Sequence, residues 1–196
     1  MDVIASHQAN VKNVIATSGT ALTLEQLKIL QRYTNNLALC FDADLAGQAA
    51  AERGIDSALS LGFNIQIIQL PETIAGIKIK DPDDCIRLGV KYWQESITNA
   101  VSIMDFYFNK VFNQYESNDP LGKKEITAKL LKQIAKLNDK VEQDHWLVKL
   151  AQKLDVPENI LRETLNKFLD KKGSNEQEIK LTNFSSFLSN NFSNSE

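Results

Sequence analysis

Leu37-Ala38-Leu39-Cys40-Phe41-Asp42-Ala43-Asp44-Leu45-Ala46-Gly47 decides how the rest of the chain is read. Five apolar residues run without interruption, as expected of a strand buried on both faces of a sheet. Two carboxylates follow at once, two residues apart, where the strand ends. In open α/β sheets, ligands bind outside the carboxyl ends of the strands. A hard cation such as Mg²⁺ takes a few such carboxylates together with waters and phosphates. Taken alone, the pair reads better as acids at a helix N-terminus, where the macrodipole favours negative charge.

Working outward, the first ~90 residues alternate strand-like and helix-like stretches, the pattern of a parallel α/β layer. Met1 to Ala9 reads as a helix. Val11 to Thr17 reads as a strand centred on Val14, Ile15 and Ala16, followed by the turn Ser18-Gly19-Thr20. Thr23 is a good N-cap for Leu24 to Tyr33, where Leu24, Leu27 and Leu30 recur at helical spacing. Ala46 to Leu61 is the clearest helix, with Gly47 allowing close packing at its start. Asn64 to Leu70 is an Ile-rich strand, and Asp84 to Trp93 a further helix.

The strand Asn64–Leu70 leads to a second acidic run, Lys80-Asp81-Pro82-Asp83-Asp84. Pro82 holds its neighbours extended. A helix start capped by Asp83 or Asp84 accounts for one aspartate and does not require three. Acidic runs after two successive strands are expected to meet at one edge of the sheet, and like charges that close need metal or cationic partners.

From about Ile97 onward no strand pattern remains. Val101, Met104, Phe108, Val111, Phe112 and Tyr115 share one helical face. Pro120 suits the first position of the next helix, striped by Ile126, Leu130, Ile134 and Leu137. Leu147, Leu150 and Leu154 stripe a third. Pro157 opens a fourth, with Ile160, Leu161, Leu165 and Phe168 facing in, so a small helical bundle is expected. The organisation read from this is an α/β domain over 1–95, a helical subdomain over 96–170, and a Ser/Asn-rich linker or disordered tail over 171–196.

Composition narrows the classes. The chain has 196 residues, 43% hydrophobic and 24% charged, which is ordinary for a globular protein. A net charge of −3 argues against nucleic-acid binding through bulk positive charge. Cys40 and Cys85 form no CxxC pair, so neither a disulfide framework nor a zinc site is read. No signal peptide or membrane span is evident, and a reducing cytoplasm is the expected setting. Gly122-Lys123 lacks the spacing of a P-loop. His7 and His145 lack a metal-protease context, and Trp93 and Trp146 suit the core better than base stacking. The helix-turn-helix rhythm of Leu147–Phe168 lacks basic charge on its second helix. Lys123, Lys124, Lys129 and Lys132 face solvent and are candidates for a nucleic-acid backbone.

Phe41-Asp42-Ala43-Asp44-Leu45-Ala46-Gly47-Gln48, a long helix, a strand and Lys80-Asp81-Pro82-Asp83 together resemble the TOPRIM module of bacterial-type DNA primases. Met1-Asp2-Val3-Ile4-Ala5 is similar to the end of that family's Glu-Gly-Tyr-Met-Asp motif, and Ala16 to Thr23 to the segment after it. Ser102 to Phe106 and Leu150 to Pro157 resemble the family's helical part, so the likeness covers about Met1 to Leu169.

The resemblance implies a Rossmann-like TOPRIM sheet without its first strand, followed by an all-α bundle. It implies Asp42, Asp44, Asp81, Asp83 and Asp2 as catalytic residues, with Asp42, Asp44 and Asp81 as ligands of Mg²⁺ or Mn²⁺. It further implies template-directed joining of ribonucleoside triphosphates on single-stranded DNA, by two-metal logic, in a DnaG-like primase of the primosome. The family's motif-one glutamate, its basic N-terminal half, its zinc-binding module and its helicase-binding domain are all expected to lie outside this chain. The replicative helicase would then bind through a domain absent here, and the chain alone would be inactive. Two alternatives stay open: another TOPRIM protein of nuclease or topoisomerase type, and a catalytically inactive binding module.

Overall fold

The computed structural model describes residues 1–17, 22–41 and 48–169. Two compact units emerge, one of Met1–Lys110 with Lys136–Asn138, the other of Val111–Ala135 with the chain from Asp139 on.

The first unit begins with helix α1 (Asp2–Gln8), which buries Ala5 and Ser6. Helix α2 (Leu24–Leu30) starts at a capping box: Thr23 accepts from the Gln26 N–H, and the Gln26 side chain accepts from the Thr23 N–H. Strand β1 (Asn36–Cys40) runs parallel to β2 (Asn64–Ile68), with Cys40 opposite Ile68. Helix α3 (Gln48–Ser60) joins them and buries Ile55, Ala58 and Leu59. A hairpin of β3 (Thr73–Ile74) and β4 (Ile77–Lys78) follows. Next come α4 (Pro82–Leu88), α5 (Val90–Thr98), β5 (Val101–Ser102) and α6 (Ile103–Gln114). A cluster of Ala9, Ile68, Ile74, Ile79, Cys85 and Trp93 forms the core beneath the carboxyl end of β2.

The α/β class holds, but several elements differ from expectation. Val11–Thr17 forms no strand. The α1 exit captures its first residue, since Val11 N–H bonds to Ser6 O at 2.9 Å, and Asn10 turns at φ 63°. Ile15 is left 60% exposed, and a β-prone run without a ladder partner has no reason to stay paired. The sheet is mixed rather than parallel, in the order β1-β2-β5, with β5 antiparallel to β2. A strand therefore does lie beyond Ile97. Its two residues are too short to carry a periodicity, and Ser102 doubles as a cap, accepting from the Asp105 N–H at 3.0 Å. Strand β1 sits at the edge of that sheet, with Ala38 exposed, so it is not buried on both faces. The expected helix Asp84–Trp93 is broken where Gly89 (φ 157°, ψ 123°) leaves helical geometry.

The second unit takes the end of α6 with α7 (Pro120–Ile134), α8 (Lys140–Leu154) and α9 (158–169). Asp119 caps α7 by accepting from the Leu121 and Gly122 N–H groups, with Pro120 at the first position. Ile126, Leu130, Ile134, Leu147, Leu150, Leu154, Leu161 and Leu165 are buried as the stripes require. Ile160 is 50% exposed instead of inward. It neighbours Leu161, and successive helical residues point about 100° apart.

Candidate acidic site

Asp81 adopts extended backbone (φ −148°, ψ 171°) and N-caps α4, accepting from the Asp84 N–H at 2.8 Å. Pro82 supplies the first helical position and is buried. Asp84 folds back to accept from the Lys80 N–H at 3.3 Å. Asp83 meets Arg87 one turn on, at 2.6 Å, with its own side chain only 17% exposed. The cap thus falls on Asp81 rather than on Asp83 or Asp84.

Asp2 joins this corner from the other end of the unit. Its Oδ1 accepts from the Asp83 N–H at 3.3 Å, across 81 positions of sequence. Helix α1 packs on α4 and so holds Asp2 there. Asp2, Asp81 and Asp83 are therefore brought together. Asp42, Asp44 and Gly47 lie outside the described residues. Phe41, just ahead of them, directly follows the carboxyl end of β1, which lies beside the carboxyl end of β2. The loop from β2 passes through the β3–β4 hairpin, whose turn residues Ala75 and Gly76 both have positive φ (51° and 82°), and delivers Lys80 to α4.

Carboxylate oxygens are the donors a hard divalent cation takes. Among the described residues, however, no group of three or more Asp, Glu, His or Cys side chains is placed to hold a metal. Asp81 and Asp83 are engaged by a cap and an ion pair, so a metal centre here requires Asp42 and Asp44.

Some neighbours of the site escaped sequence reading. Arg87 was legible in principle, because Asp83 and Arg87 stand at the i, i+4 spacing of a helical ion pair. Lys136 was not: its ammonium donates to both oxygens of Asp56 on α3, at 2.6 and 2.8 Å, from 80 residues away. Asn138 adds a bond to Leu59 O at 2.9 Å. Tyr107, 6% exposed, has a buried hydroxyl with no hydrogen-bond partner. Burial, then the charges of Asp56 and Glu52, push its phenol well above the ordinary tyrosine range. Burial likewise raises the Cys85 thiol. Trp93 and Trp146 are core residues, 2% and 6% exposed. Gly122 serves packing, since a Cβ there would lie 1.9 Å from Glu116 O.

Residues 1–86 match a family model described as Toprim-like, and residues 104–159 one described as the DnaB-helicase binding domain of primase. The DNA primase of Clostridium acetobutylicum is 36% identical over 179 residues, which are 89% of this chain and 28% of that protein. The chain belongs to the bacterial DnaG-like DNA primase family. The E. coli primase catalytic core superposes with a TM-score of 0.65 at 27% identity, over 80% of this chain and 50% of that one. A DnaG primase catalytic domain solved with single-stranded DNA gives 0.65 at 26%, over 81% and 50%. The chain thus spans little more than a quarter of the Clostridium primase and half of each solved core. The primase match over 104–159 also revises one expectation, because sequence reading placed the helicase-binding part wholly outside the chain.

Proposed function

We propose that this chain supplies the TOPRIM acids and the helical subdomain of a DNA primase, which joins ribonucleotides into short RNA primers on single-stranded DNA. One observation carries the reading: the Asp2–Asp83 bond ties the N-terminal aspartate to the acidic loop beside the carboxyl ends of β1 and β2.

In this reading Asp42, Asp44 and Asp81 hold Mg²⁺ or Mn²⁺. The bound cation supplies charge neutralisation on the triphosphate and activation of the primer 3′-hydroxyl. Asp81 performs two tasks, fixing the start of α4 and presenting charge to the site. Asp83, held by Arg87, uses its backbone N–H to orient Asp2. The solved relative with single-stranded DNA supports a DNA template. The match over 104–159 supports a replicative helicase as partner. No described helix is long and apolar enough to cross a membrane, in keeping with a cytoplasmic replication role.

Calorimetric titration with Mn²⁺ tests the site. Asp42→Asn/Asp44→Asn is expected to abolish binding, and undiminished binding would overturn the metal assignment. Asp81→Asn keeps a good cap and removes the charge, so it should weaken metal binding with little change in Tm. Asp81→Ala loses the cap as well and should cost about 1 kcal/mol of stability.

A further inference from the structure

The second unit carries a set of aromatic rings that hold lysines. Phe112 lies in the last turn of α6, and Tyr115 continues its spacing, with its N–H still bonded to Val111 O at 3.2 Å. Residues three apart on a helix are neighbours, so the two rings lie side by side. Lys153 of α8 sits over Phe112, its Nζ 5.1 Å from the ring centre. Lys129 of α7 sits over Tyr115 at 5.4 Å. Lys149, one turn before Lys153, lies over Trp146 at 4.4 Å. Two rings are thus flanked by lysines from two different helices.

A lysine laid on a ring keeps its apolar stem covered and its ammonium toward water. Lys129 and Lys153 are both exposed. The acids nearest in sequence, Glu116 and Glu125, are exposed as well. Two other acids of this unit, Asp144 and Glu158, are taken up by Arg162. Charge on the unit is therefore sorted rather than mixed. Ordered cations alternating with aromatic rings are how proteins track a single nucleic-acid strand without reading its bases.

We infer that the face formed by Phe112, Tyr115, Lys129, Lys149 and Lys153 contacts the phosphodiester backbone of a single nucleic-acid strand. It deepens the primase reading by naming a binding surface away from the acidic site. The test is separable from the metal site because it is run in EDTA.

Fluorescence anisotropy of a labelled oligothymidylate with the full chain, across a salt series, reads the interaction. Lys129→Gln/Lys149→Gln/Lys153→Gln should lower affinity tenfold or more and reduce the slope of log K against log salt by about 2, at ~0.7 for each phosphate no longer neutralised. Phe112→Leu/Tyr115→Leu should weaken binding with the slope retained. Lys167→Gln, on α9, should change neither. Absence of binding by the full chain, an unchanged slope in the triple variant, or an equal loss in Lys167→Gln would each overturn the inference. Circular dichroism of each variant checks folding. Should the triple variant unfold, Lys129→Gln alone must still lower the slope, by somewhat under ~1.

Discussion

Tyr107 shows what a single atom can do in this chain. Its ring is well placed in the core, yet its hydroxyl is buried without a hydrogen-bond partner. Tyr107→Phe should therefore stabilise the protein by about 1 kcal/mol at neutral pH, measured by urea unfolding, and a loss of stability would show that the hydroxyl is bonded after all. The sign of the pH effect follows from the raised phenol. The folded state holds this proton more tightly than the unfolded chain, so stability is constant below the ordinary tyrosine value of 10.0 and declines as pH rises past it. Tyr107→Phe should flatten that alkaline decline. At this scale, sequence reading succeeded where the chemistry is local. Asp-Pro announces a capped helix start, and Asp81 caps one. It could not foresee that Asp2 accepts from Asp83, because nothing in either tripeptide encodes a partner 81 positions away.

Elements with long stripes were legible because burial repeats along them. Helices α7 and α8 fill the core with the leucines and isoleucines their periodicity selects. Short or interrupted elements were not. The β3–β4 hairpin and β5 have two residues per strand, and Gly89 cuts one expected helix into two. Val11–Thr17 has strand composition, but composition supplies no neighbour to pair with. The start of α7 makes the strictest demand. Gly122 gives its N–H to Asp119 and lies against the Glu116 carbonyl so closely that no Cβ fits. Because the obstruction is backbone, Gly122→Ala must displace the turn before α7, at a cost of about 2–3 kcal/mol by chemical denaturation. A variant as stable as the parent would show that this turn yields easily.

At the scale of the molecule, the α/β class and the helical continuation were both readable, while the order in which the chain visits its two units was not. The first unit includes residues up to Lys110 and then Lys136–Asn138, so the chain leaves it, builds α7 in the second unit, and comes back for three residues. Those residues matter: Lys136 neutralises Asp56, and Asn138 bonds the end of α3. Lys136→Met should destabilise the protein by about 1 kcal/mol, with the loss lessened in Lys136→Met/Asp56→Asn if pairing is the cause.

That return visit fixes a sequence of events during synthesis. Ribosomes add roughly 5–20 residues per second, so α3 waits some seconds between its own emergence and that of Lys136. Throughout the interval Asp56 has no ammonium beside it and the last turn of α3 lacks its side-chain tie. A nascent chain stalled short of Lys136 would expose this end of the unit to proteases. Limited proteolysis of stalled chains would see protection of α3 arrive only once α7 has left the exit tunnel.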